Sequence, residues 1–309
     1  FAHVRFGQGL GMNAAFSDLG YFSSAPNALA FRASGSNPDD SVAILGQAWY
    51  QAAIPLPFMG FKPHSRETLE LTFGKMDIFG FFDQNAGSGD ESKQFLNSAF
   101  VHNPLLDAGG ETGVDANGFQ PGFIAAYRNV TNKSEPWKLS LGIFGSGKRG
   151  ANYQRSLTSP LLMAQAEKQL RLFDGLPGNY RLYAWNHSQG NNFDGATARH
   201  RGVGVSVDQR VDDGITLFGR YGKLFKGELP FNQALTLGAE FDGSYWGRGA
   251  DTVGVSTGWL HSGTAYRSGP NGSSCPGGYD AMGLCNSLLT TFTPKGNEHV
   301  TEVYYRYRI

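Results

Sequence analysis

The sequence predicts an all-β protein, an antiparallel transmembrane β-barrel with long extracellular loops, one of which folds a short helix into the lumen. Three observations point there. Segments of alternating apolar and polar residues recur along the whole chain. They run to near ten residues, where strands of soluble sheets average about five or six and a tilted bilayer-crossing strand needs about 9–11. The connections between them are either very tight or very long, as in outer-membrane barrels.

The alternation is clearest in Arg199–Lys223. Val203, Val205 and Val207 face one way, and Gly204, Ser206 and Asp208 the other. After Asp212-Asp213-Gly214, the residues Ile215, Leu217, Gly219 and Tyr221 alternate with Thr216, Phe218, Arg220 and Gly222. A soluble sandwich would alternate in the same way, so the pattern alone does not choose the solvent. Length and aromatic placement do. Trp137, Leu139, Leu141 and Ile143 form one apolar face, as do Leu235, Leu237, Ala239 and Phe241, and Val303, Tyr305, Tyr307 and Ile309. The opposite phases carry Lys138, Glu240, Asp242, Glu302, Arg306 and Arg308, which are costly in a dry core but natural in a wet lumen. Trp137, Tyr221, Phe241, Trp259 and Tyr305 suit interfacial girdles.

The main strand segments are Ala43–Ala53, Thr68–Asp77, Gly118–Asn129, Pro136–Ser146, Leu161–Phe173, Asn179–Ser188, His200–Val211, Gly214–Lys223, Ala234–Gly243, Asp251–Ser262 and His299–Ile309. Weaker ones lie at Phe1–Gly9, Met12–Phe22 and Ala28–Ala33, for about fourteen strands of barrel length. The tight turns are Leu176-Pro177-Gly178-Asn179 and Asp212-Asp213-Gly214, and the long connections are Phe79–Phe119 and Ser262–Glu298. Within the first long connection, Asp90–His102 predicts a short helix capped by Asp90, with Glu91 in its first turn and Phe95, Leu96, Ala99 and Phe100 along one side. No linker divides the chain, so residues 1–309 read as one domain.

Composition excludes several classes. The chain has 309 residues, with 26 basic and 26 acidic, so no basic bias points to nucleic acid. Mean hydropathy is −0.32, which argues against helical spans but not against a barrel that averages a lipid face with a wet lumen. Among 43 Gly, many are expected in the long loops. Cys275 and Cys285, close together in a Gly-rich loop, read as a disulfide of an oxidising compartment, with two free thiols as the alternative. No second pair or His doublet suggests a metal site.

Some strings imitate enzyme motifs. Gly142–Arg149, GIFGSGKR, lacks the Ser or Thr that a phosphate loop needs after Lys148. Gly254–Gly258, GVSTG, matches a nucleophile elbow, but strand alternation runs straight through it. Asp39-Asp40 and Asp212-Asp213 sit in turn contexts, and no catalytic constellation is visible.

Leu71–Pro104, Gly175–Trp185 and Gly204–Gly222 resemble the OprB family of carbohydrate-selective porins. Gly-Lys-Met-Asp followed by Phe-Asp-Gln-Asn and Gln-Phe-Leu-Asn-Ser-Ala-Phe carries most of the likeness, supported by the closing Glu302–Tyr307. The likeness runs from Gln47 to the C-terminus. It implies a barrel of sixteen strands in the bacterial outer membrane, passing small sugars by diffusion without cofactor or energy coupling. The family normally continues beyond Tyr304-Tyr305-Arg306-Tyr307 to a terminal aromatic, whereas this sequence ends at Ile309 and begins inside a strand. Terminal strands, or another chain, are therefore expected to close the barrel, since open edges are not tolerated in lipid.

A sugar pathway needs aromatic faces and groups that bond hydroxyls. Phe81, Phe82, Asp83, Gln84, Asn85, Gln94 and Asn97 in the long loop could supply both. Arg220, Glu240, Asp242, Glu302, Arg306 and Arg308 come from the inner strand phase. Their mixed signs suit a neutral solute, although the same groups could pair with one another and brace the loop. Alternatives are a porin for other small solutes or inorganic ions, or a plugged barrel serving as a docking partner. Expected surroundings are outer-membrane lipid and lipopolysaccharide, with a homo-oligomer or other envelope proteins as further partners.

Overall fold

The computed structural model describes residues 1–8, 41–57, 65–90, 92–106, 119–146, 158, 160–193, 196–268 and 296–309. Twelve strands are found among them: β1 (Ala2–Gln8), β2 (Ser41–Pro55), β3 (Glu67–Met76), β4 (Gln120–Asn129), β5 (Trp137–Gly145), β6 (Pro160–Leu172), β7 (Leu176–Asn191), β8 (Thr197–Asp212), β9 (Ile215–Lys226), β10 (Phe231–Asp242), β11 (Thr252–Ser262) and β12 (Asn297–Arg306). They form one sheet in chain order, each strand antiparallel to the next. The two weaker segments Met12–Phe22 and Ala28–Ala33 fall outside the described residues, as do Cys275 and Cys285.

Connections at one edge of the sheet are short: 56–66, 130–136, 173–175, 213–214 and 243–251. At the other edge they include 9–40, 77–119, 146–159 and 263–296, which are long, and two short ones at 192–196 and 227–230. One expected turn moves. Leu176–Asn179 belongs to β7, with Leu176 paired to Leu172, and the chain reverses at Phe173-Asp174-Gly175. Those three residues take φ of 46°, 61° and 88°. Asp-Gly accepts that left-handed geometry, which matches the twist of a hairpin, and it outcompetes Pro-Gly further along.

The outer face is apolar and exposed. Leu141 is 65%, Leu182 59%, Leu237 50% and Val303 64% accessible, and cross-strand register places Leu237 and Val303 in adjoining apolar rows. Soluble monomers rarely show contiguous apolar patches above a few hundred Å², and larger ones mark contact with lipid or with another protein. Tyr245, Trp246, Tyr305 and Tyr307 gather with exposed rings at the short-turn edge.

On the inner face, large rings lie over glycines in the neighbouring strand. Tyr183 pairs with Gly204 and Trp185 with Gly202, and a Cβ on either glycine would sit 2.3 Å or less from the ring. Tyr304 over Gly254 and Phe218 over Gly238 repeat the arrangement. Glycine, expected mainly in loops, thus also serves as the space that interior aromatics occupy.

At the short-turn edge, Asp251 joins the β10–β11 connection to the end of β12. Its Oδ1 accepts from Arg248 Nη2 at 3.2 Å and from the Arg308 amide at 3.0 Å, and its Oδ2 accepts from Arg248 Nε and the Tyr305 hydroxyl. The Arg248 guanidinium holds this carboxyl well below the usual carboxylate range, aided by Tyr305 and Arg308. A depressed native pKa stabilises fully above the unfolded value near 3.9 and is lost as pH falls through the native one.

Two outcomes are expected. Gly204→Val should destabilise the folded protein by about 1–3 kcal/mol in urea titrations, while Gly249→Ala, with nothing near its Cβ, should not. The gap in melting temperature between the wild type and Asp251→Asn should stay constant from pH 7 to 5 and shrink only below about pH 4.

Candidate functional site

The segment between β3 and β4 lies against the inner face of the sheet, and its contacts reach from β2 to β12. Phe81 meets Trp49 of β2 edge-to-face, with centroids 5.4 Å apart, while the Leu96 amide reaches Glu302 of β12 at 2.8 Å. The sheet therefore curls around this segment.

Its central fastening is Arg220 of β9 with Asp83, both almost fully buried. Arg220 Nε donates to Asp83 Oδ1 at 3.1 Å. Nη1 donates to Ser88 Oγ at 2.5 Å and Phe100 O at 2.7 Å, and Nη2 to Asp83 O at 3.1 Å and Ser88 O at 2.6 Å. All five donors of the guanidinium fork are engaged. They hold three separated points of the loop. Asp83 is equally occupied: it accepts from the Tyr183 hydroxyl at 2.8 Å and the Asn103 amide at 2.6 Å, and its own amide donates to Gln165 at 2.9 Å. It adopts φ 53°, an uncommon left-handed conformation for a residue other than glycine.

Further pins flank this pair. Glu302 accepts the amides of Leu96 and Asn97 at 2.8 and 2.9 Å, one on each oxygen. Asn85 donates to Ser206 Oγ and Val207 O, while Ser206 donates back to Gln84 O. Glu240 accepts from the Tyr304 hydroxyl at 2.6 Å and from Gln94 at 3.1 Å. Arg306 donates to Lys93 O and Thr252 Oγ1.

These bonds explain the shortened helix. Only Ser98–Val101 is helical, capped by the Asn97 side chain. Asp90 instead closes a turn onto Ser92 and Lys93, and Glu91 lies outside the described residues. The amides of Leu96 and Asn97 point at Glu302 and cannot donate along a helix. Phe95 is wholly buried among Phe100, Phe218 and Tyr304.

The structure thus brings Phe81, Phe82, Asp83, Gln84, Asn85, Gln94, Asn97, Arg220, Glu240, Glu302 and Arg306 together, and leaves two predicted residues apart. Asp242 caps the 3-10 turn Gly243–Trp246 at the short-turn edge. Arg308 lies beyond β12 with an exposed side chain and contributes only backbone to the Asp251 clip. Within the set, Phe82 is fully buried against Phe144, whereas Phe81 and Gln84 stay partly exposed. Ser256, at the centre of the GVSTG string, donates to Leu237 O and is buried within the sheet.

Sequence reading missed Tyr183, Ser88, Asn103, Gln165 and a second ion network. In that network Arg181 donates to Glu167 at 3.1 Å and Asp208 at 2.8 Å, and Asp208 accepts from Asn179. Alternation had placed Asp208 on the inner phase, but its link to Glu167 through the shared Arg181 requires the register of three strands. Inner-face charges on β3–β5 differ: Glu70, Arg128 and Lys138 make no hydrogen bond or ion pair among the described residues. Among the described residues, the loop's side-chain hydrogen bonds go mainly to the β6–β12 wall.

A profile of the carbohydrate-selective porins matches residues 30–309. The chain belongs to the OprB family of carbohydrate-selective porins. No curated protein sequence matches it. Among solved structures, the high-pH structure of Pseudomonas putida OprB aligns with TM-score 0.62 at 18% identity, covering 93% of this chain and 67% of that one, a likeness of fold. The open form of the ferric-catecholate import receptor Fiu from E. coli K12 aligns with TM-score 0.34 at 12% identity over 79% of this chain and 31% of its own, too remote to carry an argument.

Arg220→Met should leave Asp83 buried without its cation. Breaking such a pair costs about 3–5 kcal/mol, so loop segments 83–103 should become sensitive to protease in the folded, detergent-solubilised protein.

Proposed function

We propose that this chain forms an outer-membrane porin that lets small sugars diffuse passively, with the long-loop edge facing outside. The observation that carries this reading is an inverted sheet: an apolar exposed outer face, and an inner face of ions and amides curled around a pinned loop. A closed barrel, with the sixteen strands the family implies, would place that outer face in lipid and lipopolysaccharide and satisfy both sheet edges. A fixed loop narrows a lumen without any moving part, which suits diffusion down a gradient.

The predicted site residues divide by role. Asp83, Asn85, Asn97, Arg220 and Glu302 set the position of the loop, since their polar atoms are committed to it. Gln94 joins them through Ala86, Gly89 and Glu240, while Phe81 and Gln84 remain partly open and would face the solute, across from Glu70, Arg128 and Lys138. Charges of both signs line the passage, which suits a neutral polyhydroxyl solute better than an ion of one sign.

Single-channel recording in planar bilayers with added mono- and disaccharides tests this. The expected result is an ohmic pore whose current sugars reduce saturably. Ohmic current indifferent to sugars would remove the sugar assignment, and a folded protein that passes no current would remove the porin assignment.

A further inference from the structure

Inside the sheet, Tyr183, Trp185, Phe82 and Phe144 are almost completely buried. The aromatic corner where β2 meets the loop is different. Trp49 lies on the inner face of β2 and is only partly buried, as is Phe81. Their rings meet edge-to-face at 5.4 Å, and Phe1 stacks on Trp49 at 4.9 Å with planes 24° apart. Three aromatic rings thus form a continuous shelf that retains exposed surface where the loop meets β2.

The β2 and β3 backbones approach closely beside Trp49. Gly74 stands directly across from Trp49 on β3. Its φ is +138°, and a Cβ there would fall 2.7 Å from Trp49 Cα and 2.9 Å from its Cβ. The indole N–H is already taken by Gln47 Oε1 at 3.3 Å, so what Trp49 offers is the part of its ring that Phe1 does not cover. Polar groups follow along the same face. Gln51 donates its amide nitrogen to Thr72 at 3.0 Å, which leaves its carbonyl oxygen as an acceptor. Glu70 lies one inner position beyond Thr72 and has no partner among the described residues.

An electron-rich ring face bordered by acceptors complements a particular shape of solute. A pyranose presents a flat C–H face, polarised slightly positive, and a rim of hydroxyl donors. An open-chain polyol has the same hydroxyls but no fixed apolar face. We propose that Trp49 and Phe81 form a stacking shelf that makes the pore favour ring-form sugars over open-chain polyols, with Gln51 and Glu70 accepting from the hydroxyl rim. This rests on the sugar-pore reading above. It adds a basis for discrimination that size and charge do not provide, because the preference comes from the aromatic face.

The test uses the full chain in proteoliposomes, comparing swelling rates in glucose and sorbitol, with potassium chloride conductance as the measure of an intact pore. The wild type should admit glucose faster than sorbitol. Trp49→Ala should lower the glucose-to-sorbitol ratio about two- to tenfold, the range an aromatic contact is worth, through the glucose rate alone. Trp49→Phe should keep part of the preference, and Phe81→Leu should shift the ratio in the same direction from the loop side. The outer-face change Tyr50→Ala should leave it unaltered. A ratio that survives both Trp49→Ala and Phe81→Leu in conducting protein overturns the shelf alone. A conducting wild type that excludes both solutes overturns the sugar-pore reading and the shelf with it.

Discussion

The inner architecture depends on one saturated ion pair. A loop that enters a water-filled lumen has no reason to hold a shape, because water satisfies its backbone as well as protein does. Arg220 removes that freedom by directing five donors at Asp83, Ser88 and Phe100. Each bond is charge-assisted, and none competes with solvent because the pair is buried. Asp83 returns the constraint by binding Tyr183 on β7 and Asn103 in the same loop. Glu302 then fixes the far end through two successive amides. The described part of the loop is thereby secured mainly to the β6–β12 wall.

The same requirement explains the glycines of the strands. A loop held inside a sheet needs a packed underside, and large rings supply it only where the neighbouring strand gives way. Tyr183 can reach both Asp83 and Asn103 because Gly204 leaves room beside it. Gly254 gives way to Tyr304 in the same manner. Interior packing, loop position and pore wall are thus linked through a few cross-strand pairs of ring and glycine.

Much of the fold was legible because strand alternation is a local property. Eleven of the main segments and Phe1–Gly9 correspond to strands, with ends shifted by a few residues. The outer and inner phases of the sheet were assigned correctly wherever valine or leucine alternated with polar residues, as in β8 and β12. What alternation cannot give is register, so the contacts between distant segments stayed hidden. Arg220 and Asp83 were each picked out as pathway residues, but nothing in either segment shows that one would consume the other's bonding capacity. The helix over Asp90–His102 was overestimated for the same reason: its amides are claimed by Glu302, more than two hundred positions away. Asp242 is the last residue of β10 and Arg308 lies beyond β12, and at strand ends phase no longer decides what a side chain meets.

The central claim is that the loop is a fixed part of the inner wall. Residue-resolved hydrogen exchange on the folded protein in detergent tests it most directly. The amides of Asp83, Leu96, Asn97 and Asn103 should exchange as slowly as the paired amides of β7–β9. Exchange of these four at the rate of free peptide, while β7–β9 remain protected, would contradict the account.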